Sequence, residues 1–237
     1  MCPRRLLAAS LMAAGCSTHL APLLDSPVSV SALPEAAGPP VSLLVCRFAD
    51  HRDTRLVTPS PVGLIPGPNL FYTGGTLHRV DRFADVHGGR HQVRMGDLET
   101  ALPDLLAASI REVRPSWPIE VTASPDRCRS GGDAMFVIDG AIRRTDLRMH
   151  TNIVPLGFLA LVGVPFSFLH FTGELDVEIR QAGTGAVLWR HGFEIDERRS
   201  AGFYYGHRAA YEMFSALLHE TVAQSVVSVV HVGERGA

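Results

Sequence analysis

The sequence predicts an α+β fold: a mostly antiparallel sheet with two helices packed on one face, plus a short apolar crossover helix. Three observations predict it. Leu175, Val177 and Ile179, and then Val187, Trp189, His191, Phe193 and Ile195, alternate with polar residues about a turn at 181–185, as in a hairpin with one buried and one wet face. Leu98, Leu102, Leu105, Leu106, Ile110 and Val113 recur at helical spacing, as do Ala210, Phe214, Leu217, Leu218, Thr221, Val222, Ser225 and Val229. The order strand, long loop, helix, strands, apolar crossover, hairpin, helix then suits two helices layered on one sheet.

Length and composition bound this reading. At 237 residues, 46% hydrophobic and 19% charged, the chain can bury one sizeable core and leaves little for a second domain. The net charge of −2 provides no global attraction to nucleic acid. The organisation expected is a signal peptide over 1–15, a tether over 16–40 and a single α+β domain over 41–237.

The amino terminus is the most specific stretch. Arg4 and Arg5 form a basic region, 6–14 an apolar region too short to span a bilayer, and Ala13-Ala14-Gly15 a small-residue cleavage site. Cys16 follows. Small residues ending in Gly-Cys after an apolar run resemble the bacterial lipobox, with Ala13 in place of the usual leucine. The resemblance implies that the Cys16 thiol is acylated and anchors the protein to a membrane. The plainer alternative is an ordinary signal peptide cut near Gly15. With Cys2 and Cys16 set aside, Cys46 and Cys128 remain in an oxidising compartment. They allow one disulfide, but Cys46 falls in an apolar run and Cys128 in a polar one, which favours a buried free thiol at Cys46.

Pro22, Pro27, Pro34, Pro39 and Pro40 among Ser and Ala make 17–40 a semi-extended tether. The run 41–48 is nearly continuous in apolar residues and reads as a strand buried on both faces. It ends in a charge cluster over 49–55. Asp50 and His51 could form an acid/base pair there, although ion pairs and a strand cap explain the cluster more simply. The Pro- and Gly-rich run 58–96 reads as a long loop. Leu70, Phe71 and Tyr72 form an apolar island in it, a candidate contact. His78, Asp81, Asp85, His87 and His91 invite a metal reading, but Gly88-Gly89 breaks the helical spacing of the last two histidines, and a solvated loop with no metal is preferred.

In the first helix Thr100 is the expected N-cap, Pro103 falls in the first turn and Pro115 stops it. A short strand at 119–122 and a polar loop at 124–132 follow. The strand from 135 loses its alternation beyond 142, and Asp139-Gly140 within it hints at a bulge or a close approach. Residues 153–171 then carry no charge over about 19 positions, near the ~20 of a membrane span. Pro155, Gly157, Gly163 and Pro165, with strands on both flanks, argue against spanning and for a crossover helix over 156–164. Either some of Phe158, Leu161, Val162, Phe166 and Phe168 stay exposed as a partner or membrane contact, or all are buried under the long loop over 58–96, whose Leu70, Phe71 and Tyr72 could cap them. Beyond it, His191 reads as a core or rim histidine, 194–199 as a solvated charge run, and Tyr204 and Tyr205 as an aromatic patch before the last helix.

Phe48-Ala49-Asp50-His51-Arg52 closing the first strand, Gly185-Ala186-Val187-Leu188-Trp189 in the hairpin, and Tyr204-Tyr205-Gly206 together resemble small bacterial envelope lipoproteins. That group includes uncharacterised lipoproteins and, more distantly, accessory lipoproteins of peptidoglycan synthesis and polymer export. The resemblance implies a scaffolding or accessory role and supplies no catalytic residue. The sequence contains no Gly-x-Ser-x-Gly elbow, phosphate loop, His-Glu-x-x-His or Cys-x-x-Cys. The function expected is therefore a non-catalytic lipoprotein without cofactor. It is expected to sit in the bacterial outer membrane through Cys16, to face the periplasm and to bind an envelope protein, not nucleic acid. The alternatives are a periplasmic hydrolase built on the His- and Asp-rich loops, or a carrier of an apolar ligand.

Overall fold

The structure is a computed structural model that describes residues 40–54, 57–59, 72–80, 82–83, 93–94, 98–152, 167–201 and 208–236. In chain order its elements are β1 (Leu43–Cys46), β2 (Ala49–Asp50), β3 (Val57–Pro59), β4 (Tyr72–Leu77), β5 (Arg82–Phe83), β6 (Val93–Arg94), α1 (Leu98–Val113), β7 (Ile119–Thr122), α2 (Pro125–Ser130), β8 (Phe136–Asn152), β9 (Ser167–Gln181), β10 (Val187–Ala201) and α3 (Arg208–Gly236). The fold is mixed α+β. The main sheet runs β10-β9-β8-β1-β7, with β2 and β4 also on β8 and β3 on β4, while β5 and β6 pair separately. The long strands are antiparallel. Next to the β7 edge, β1 is parallel to both β7 and β8, with Leu43 opposite Ile119 and Phe136. The chain between β1 and β7 carries α1, as parallel neighbours need a crossover.

All four residues of β1 are buried, which is why the run reads as continuously apolar. Leu43 and Val45 belong to the main core, while Leu44, Cys46 and Val137 form a second small cluster. That second cluster is packed by Cys128, Ala134 and Ala182. The expected polar loop at 124–132 therefore contains a short helix, α2. Ser124 caps its first turn by accepting from the Arg127 amide, and Gly131 (φ 76°) ends it in the left-handed region, donating to the Arg127 carbonyl at 2.8 Å. Cys46 is not a free thiol. It is bonded to Cys128, with the Cα atoms 5.9 Å apart and the two cysteines 82 positions apart in sequence. Polar residues around Cys128 face water, while the cysteine itself turns inward onto β1.

Helix α1 starts at Leu98, so Thr100 lies inside it and is not the N-cap, and Pro103 sits beyond the first turn. The proline has no N–H for the Glu99 carbonyl, but that carbonyl accepts from the Phe48 amide at 3.1 Å. A bond within the helix is thus replaced by one that ties α1 to the end of β1.

The lost alternation in β8 has a single cause. Ile142 faces Leu175 and Arg144 faces Glu174, so Arg143 is an extra residue, a β-bulge. Ile138 and Ile142 are buried before it, Thr145 and Leu147 after it. Gly140 is a close approach. A Cβ there would lie 2.5 Å from the Phe48 ring and 2.7 Å from the Asp176 carbonyl oxygen.

The crossover reading of 153–171 is corrected. β8 and β9 are antiparallel neighbours paired as far as Thr151 opposite Ser167, so the two flanking strands are adjacent and their connection needs no crossover. Residues 156–164, read as a helix, lie outside the described residues. The last part of the apolar run is the start of β9, with Leu169 and Phe171 buried in the same alternation as Leu175, Val177 and Ile179.

Helix α3 buries Ala210, Met213, Phe214, Leu217, Leu218, Val222, Val226, Val229 and Val230, in one cluster with side chains of α1 and the central strands. Residues Glu212–Arg235 are long and apolar enough to cross a membrane by length and composition, yet 56% of their most apolar window is buried within the fold. β10 ends the main sheet, and its inner face is only partly covered. Phe193 is buried and Trp189 half-buried, but His191, expected on the covered face, is exposed, and Val187, expected there too, lies opposite Arg180 on the other face and is exposed. His191 is stacked on Trp189 and edge-on to Phe193, a rim position.

Candidate functional site

The charge cluster after β1 is built inward. Phe48 is buried against Gly140, which sends Asp50 and Arg52 past the end of β1 toward β8. The Arg52 guanidinium has no exposure and forks onto Asp50, Nε to Oδ1 and Nη2 to Oδ2, both at 2.8 Å. Its Nη1 donates to the Thr145 hydroxyl at 3.1 Å, and the same oxygen accepts from the Val80 amide at 3.1 Å. Arg79 closes on Asp50 from the other side. Glu99 of α1 takes Arg47 at 2.7 Å and lies 4.0 Å from Arg52. Burial alone would raise the Asp50 pKa. The hydrogen bonds from the Arg52 side chain and backbone, with the charges of Arg52 and Arg79, outweigh it and hold the carboxyl below its ordinary value.

This geometry removes the acid/base reading of Asp50 and His51. Asp50 is an ionised clamp, and His51 is exposed, its amide donating to the Ile142 carbonyl at 2.9 Å. The motif latches β2, α1, β8 and the chain after β4 together. Because the Asp50 pKa is lower folded than unfolded, its contribution is fully present above the unfolded value and is lost as pH falls through the folded one. The stability difference between wild type and Asp50→Asn should therefore be largest at neutral pH and shrink in acid. Denaturant midpoints of both proteins across pH 7 to 2 check this, and a pH-independent gap would contradict it.

The outward side of β8, β9 and β10 carries a charge ladder. Arg143 pairs with Asp176, Arg190 with Glu178, Arg180 with Asp139 at 3.2 Å, Arg144 with Asp146 at 2.9 Å, and His170 with Asp196 at 2.6 Å. His78 lies 3.2 Å from Asp146. Partly exposed pairs of this kind contribute at most about 1 kcal/mol each. Among the described residues no group of three His, Cys, Asp or Glu is placed to hold a metal. Asp81, Asp85, His87 and His91 lie outside them.

Of the expected contact residues, Phe168 stands 60% exposed on β9, opposite His150 and Ser200. Tyr72 begins β4 opposite Asn152, toward the same end of the sheet. Cys16, Phe71, Phe158, Leu161, Val162 and Phe166 lie outside the described residues.

The sequence reading missed an apolar groove at the opposite end. It occupies about 630 Å³ and is lined by Leu188 and Trp189 of β10 and by Val227, Ser228, His231, Val232 and Arg235 of α3. A bulge builds it. Val187 faces Arg180 and Trp189 faces Ile179, so Leu188 is an extra residue and both it and Trp189 line the groove. The adjacent apolar pair Leu188-Trp189, which breaks the alternation of the hairpin, was the legible signal. The arrangement can receive an apolar surface, with Ser228, His231 and Arg235 as polar members along one helix.

No protein-family model matches the sequence, and no curated protein matches it. Solved structures similar to this chain include protein XCC0632 from Xanthomonas campestris, of family DUF330, at 15% identity, covering 88% of this chain and 94% of that one with a TM-score of 0.46. The PelC dodecamer from Paraburkholderia phytofirmans is 13% identical, with 76% and 86% covered and a TM-score of 0.34. Lipoprotein GNA1162 from Neisseria meningitidis is 10% identical, with 77% and 98% covered and a TM-score of 0.30. None of these likenesses carries a residue role to this chain.

Proposed function

We propose that this chain is an exported, lipid-anchored protein of the bacterial cell envelope that acts by binding an envelope partner, as an accessory or scaffold, and not by catalysis. One structural observation supports the exported half of the reading above the others: the Cys46–Cys128 bond. Structural disulfides form and persist in oxidising compartments and are rare in a reducing cytosol. Export agrees with the basic, apolar and small-residue succession before Cys16. Acylated Cys16 would hold the domain at the outer membrane, facing the periplasm, with α1 and α3 layered on one face of the sheet. The non-catalytic half rests on chemistry. The acidic and basic groups of the motif after β1 are spent on one another, and the groove is mainly apolar.

Cys16→Ala tests the anchor. Wild type should take up labelled palmitate and fractionate with membranes, whereas the variant should take up none and become soluble or stay unprocessed. A variant still processed and membrane-bound would overturn the anchor. Cross-linking of the native lipoprotein in envelopes, followed by purification, tests the partner. Recovery of a reproducible envelope protein is expected, and purified protein that instead hydrolyses an ester or amide substrate would overturn the non-catalytic reading.

A further inference from the structure

We propose that the outer edge of β10 is a self-association surface: two copies of the chain pair β10 to β10, antiparallel, about a two-fold axis through Phe193. The inference goes beyond the binding role above and does not depend on the Cys16 anchor. β10 closes the main sheet on one side, and among the described residues no strand lies beyond it. Along its length it is paired to β9 alone, so its other row of amides and carbonyls is a template for a further strand. Helix α3 is seated inboard, over β9. Its Phe214 meets Phe171 edge-on at 5.9 Å, and a Cβ at Gly173 would strike Leu217. Joined at β10, two copies would hold these helices three strand spacings apart, roughly 14 Å, which clears helices about 10–12 Å across.

The covered face of β10 shows where a neighbour is missing. His191 lies in the same row as buried Phe193, 4.6 Å from its ring, and opposite buried Val177 of β9, yet it is exposed. A strand along the free edge would cover it from the remaining side.

Charge selects the occupant and the register. Charged side chains on an edge repel most strands, and those of β10 are complementary to β10 itself in one alignment. In a self-paired antiparallel strand the two residues that exchange bonds both come from the outward row, so the two-fold axis passes through a residue. Centred on Phe193, the pairing spans 187–199. It sets Arg190 opposite Asp196 of the second copy, twice by symmetry, Leu188 opposite Arg198, Trp189 opposite Glu197 and His191 opposite Ile195. No like charges meet. Centred on Glu194, the pairing sets Glu194 on itself and Arg190 on Arg198; centred on Ile195, it sets Glu194 on Asp196. Centring on Asp196 or Glu197 sets that carboxylate on itself, while centring on Gly192 or His191 avoids repulsion but shortens the pairing. Within one copy Arg190 holds Glu178 and Asp196 holds His170. The two cross pairs therefore carry the charge ladder of β8, β9 and β10 across the axis.

The register makes the test specific. The purified full-length protein in excess detergent should sediment as a concentration-dependent dimer. His191→Cys mixed with Ile195→Cys and oxidised should give a disulfide-linked dimer, with wild type as the control for its other cysteines. Neither variant should cross-link alone, because its two new cysteines stand four positions apart along the pairing, roughly 13 Å. Asp196→Arg, which meets Arg190 of the second copy, should abolish the dimer while circular dichroism stays that of the folded chain. Arg190→Asp combined with Asp196→Arg should restore it. Protein that is monomeric at every concentration overturns the proposal. So does a dimer indifferent to Asp196→Arg, a folded double variant that stays monomeric, or cross-linking of His191→Cys alone, which marks another register. In envelopes, a photo-reactive side chain at position 191 that captures a different protein and no second copy gives the edge to that protein, overturning self-association and leaving the binding role standing.

Discussion

Arg52→Ala is expected to lower the stability of the domain by about 3–5 kcal/mol, because it breaks a buried ion pair from one side. Folded domains have only about 5–15 kcal/mol to lose, so much of the protein should be unfolded near body temperature. The physical reason is asymmetric. With Arg52 present, Asp50 receives a two-pronged charged fork and the Thr145 hydroxyl receives a donor. With Arg52 gone, Asp50 keeps Arg79 but loses the partner that compensates most of its burial, and Glu99 loses the charge 4.0 Å from its carboxylate. Arg52→Lys should recover only part of the loss, since an ammonium cannot reproduce a planar fork that reaches Asp50 and Thr145 together. Urea denaturation of the three proteins measures it. If Arg52→Ala unfolds at the wild-type midpoint, the network is ornament and the motif must be explained by something other than folding.

Breaking Cys46–Cys128 should cost a similar amount. The bond closes a loop of 82 residues, for which chain-entropy reasoning predicts about 4.5 kcal/mol. It also holds α2 over Leu44 and Val137, whose burial depends on that cover. Cys128→Ser should thus melt well below wild type, and wild type in reductant should fall to meet it. The variant itself should ignore reductant. Equal melting of oxidised and reduced wild type would mean that packing, not the bond, keeps α2 in place.

Much of the fold is readable from local pattern. Alternation over Leu175–Ile179 marks β9, helical spacing marks α1 and α3, and the unbroken apolar run over β1 marks a strand covered on both sides. These signals survive because each reports only whether a side chain meets water, which the sequence encodes residue by residue. The errors share a different character. Thr100 and Pro103 were misplaced because the cost of the proline is offset by Phe48, distant in sequence, whose amide takes the Glu99 carbonyl. The crossover reading failed because β8 and β9 are longer than their alternation shows. β8 is interrupted by the Arg143 bulge, and the first residues of β9 lie within the uncharged run.

For the site the division is sharper. The Phe-x-Asp-x-Arg motif, and the patterns on which the proposed export and Cys16 anchor rest, can be read from the chain alone, because each is a short run of residues with its own chemistry. What the motif does could not be. Asp50 and His51 are adjacent in sequence and admit an acid/base pair, and only the arrival of Arg79 and Thr145 makes Asp50 a locked carboxylate. The groove was hidden for the same reason. Leu188 and Val227 are each ordinary apolar residues in their own elements, and they become one surface only when the bulge in β10 and the last turns of α3 meet. By itself the sequence determined which residues leave water and which chemistry its short motifs carry, since both are properties of side chains and near neighbours. The tertiary structure alone decided which cysteine bonds to which, which carboxylate is spent on an arginine and where exposed apolar side chains gather, because each depends on distances between residues the chain holds far apart.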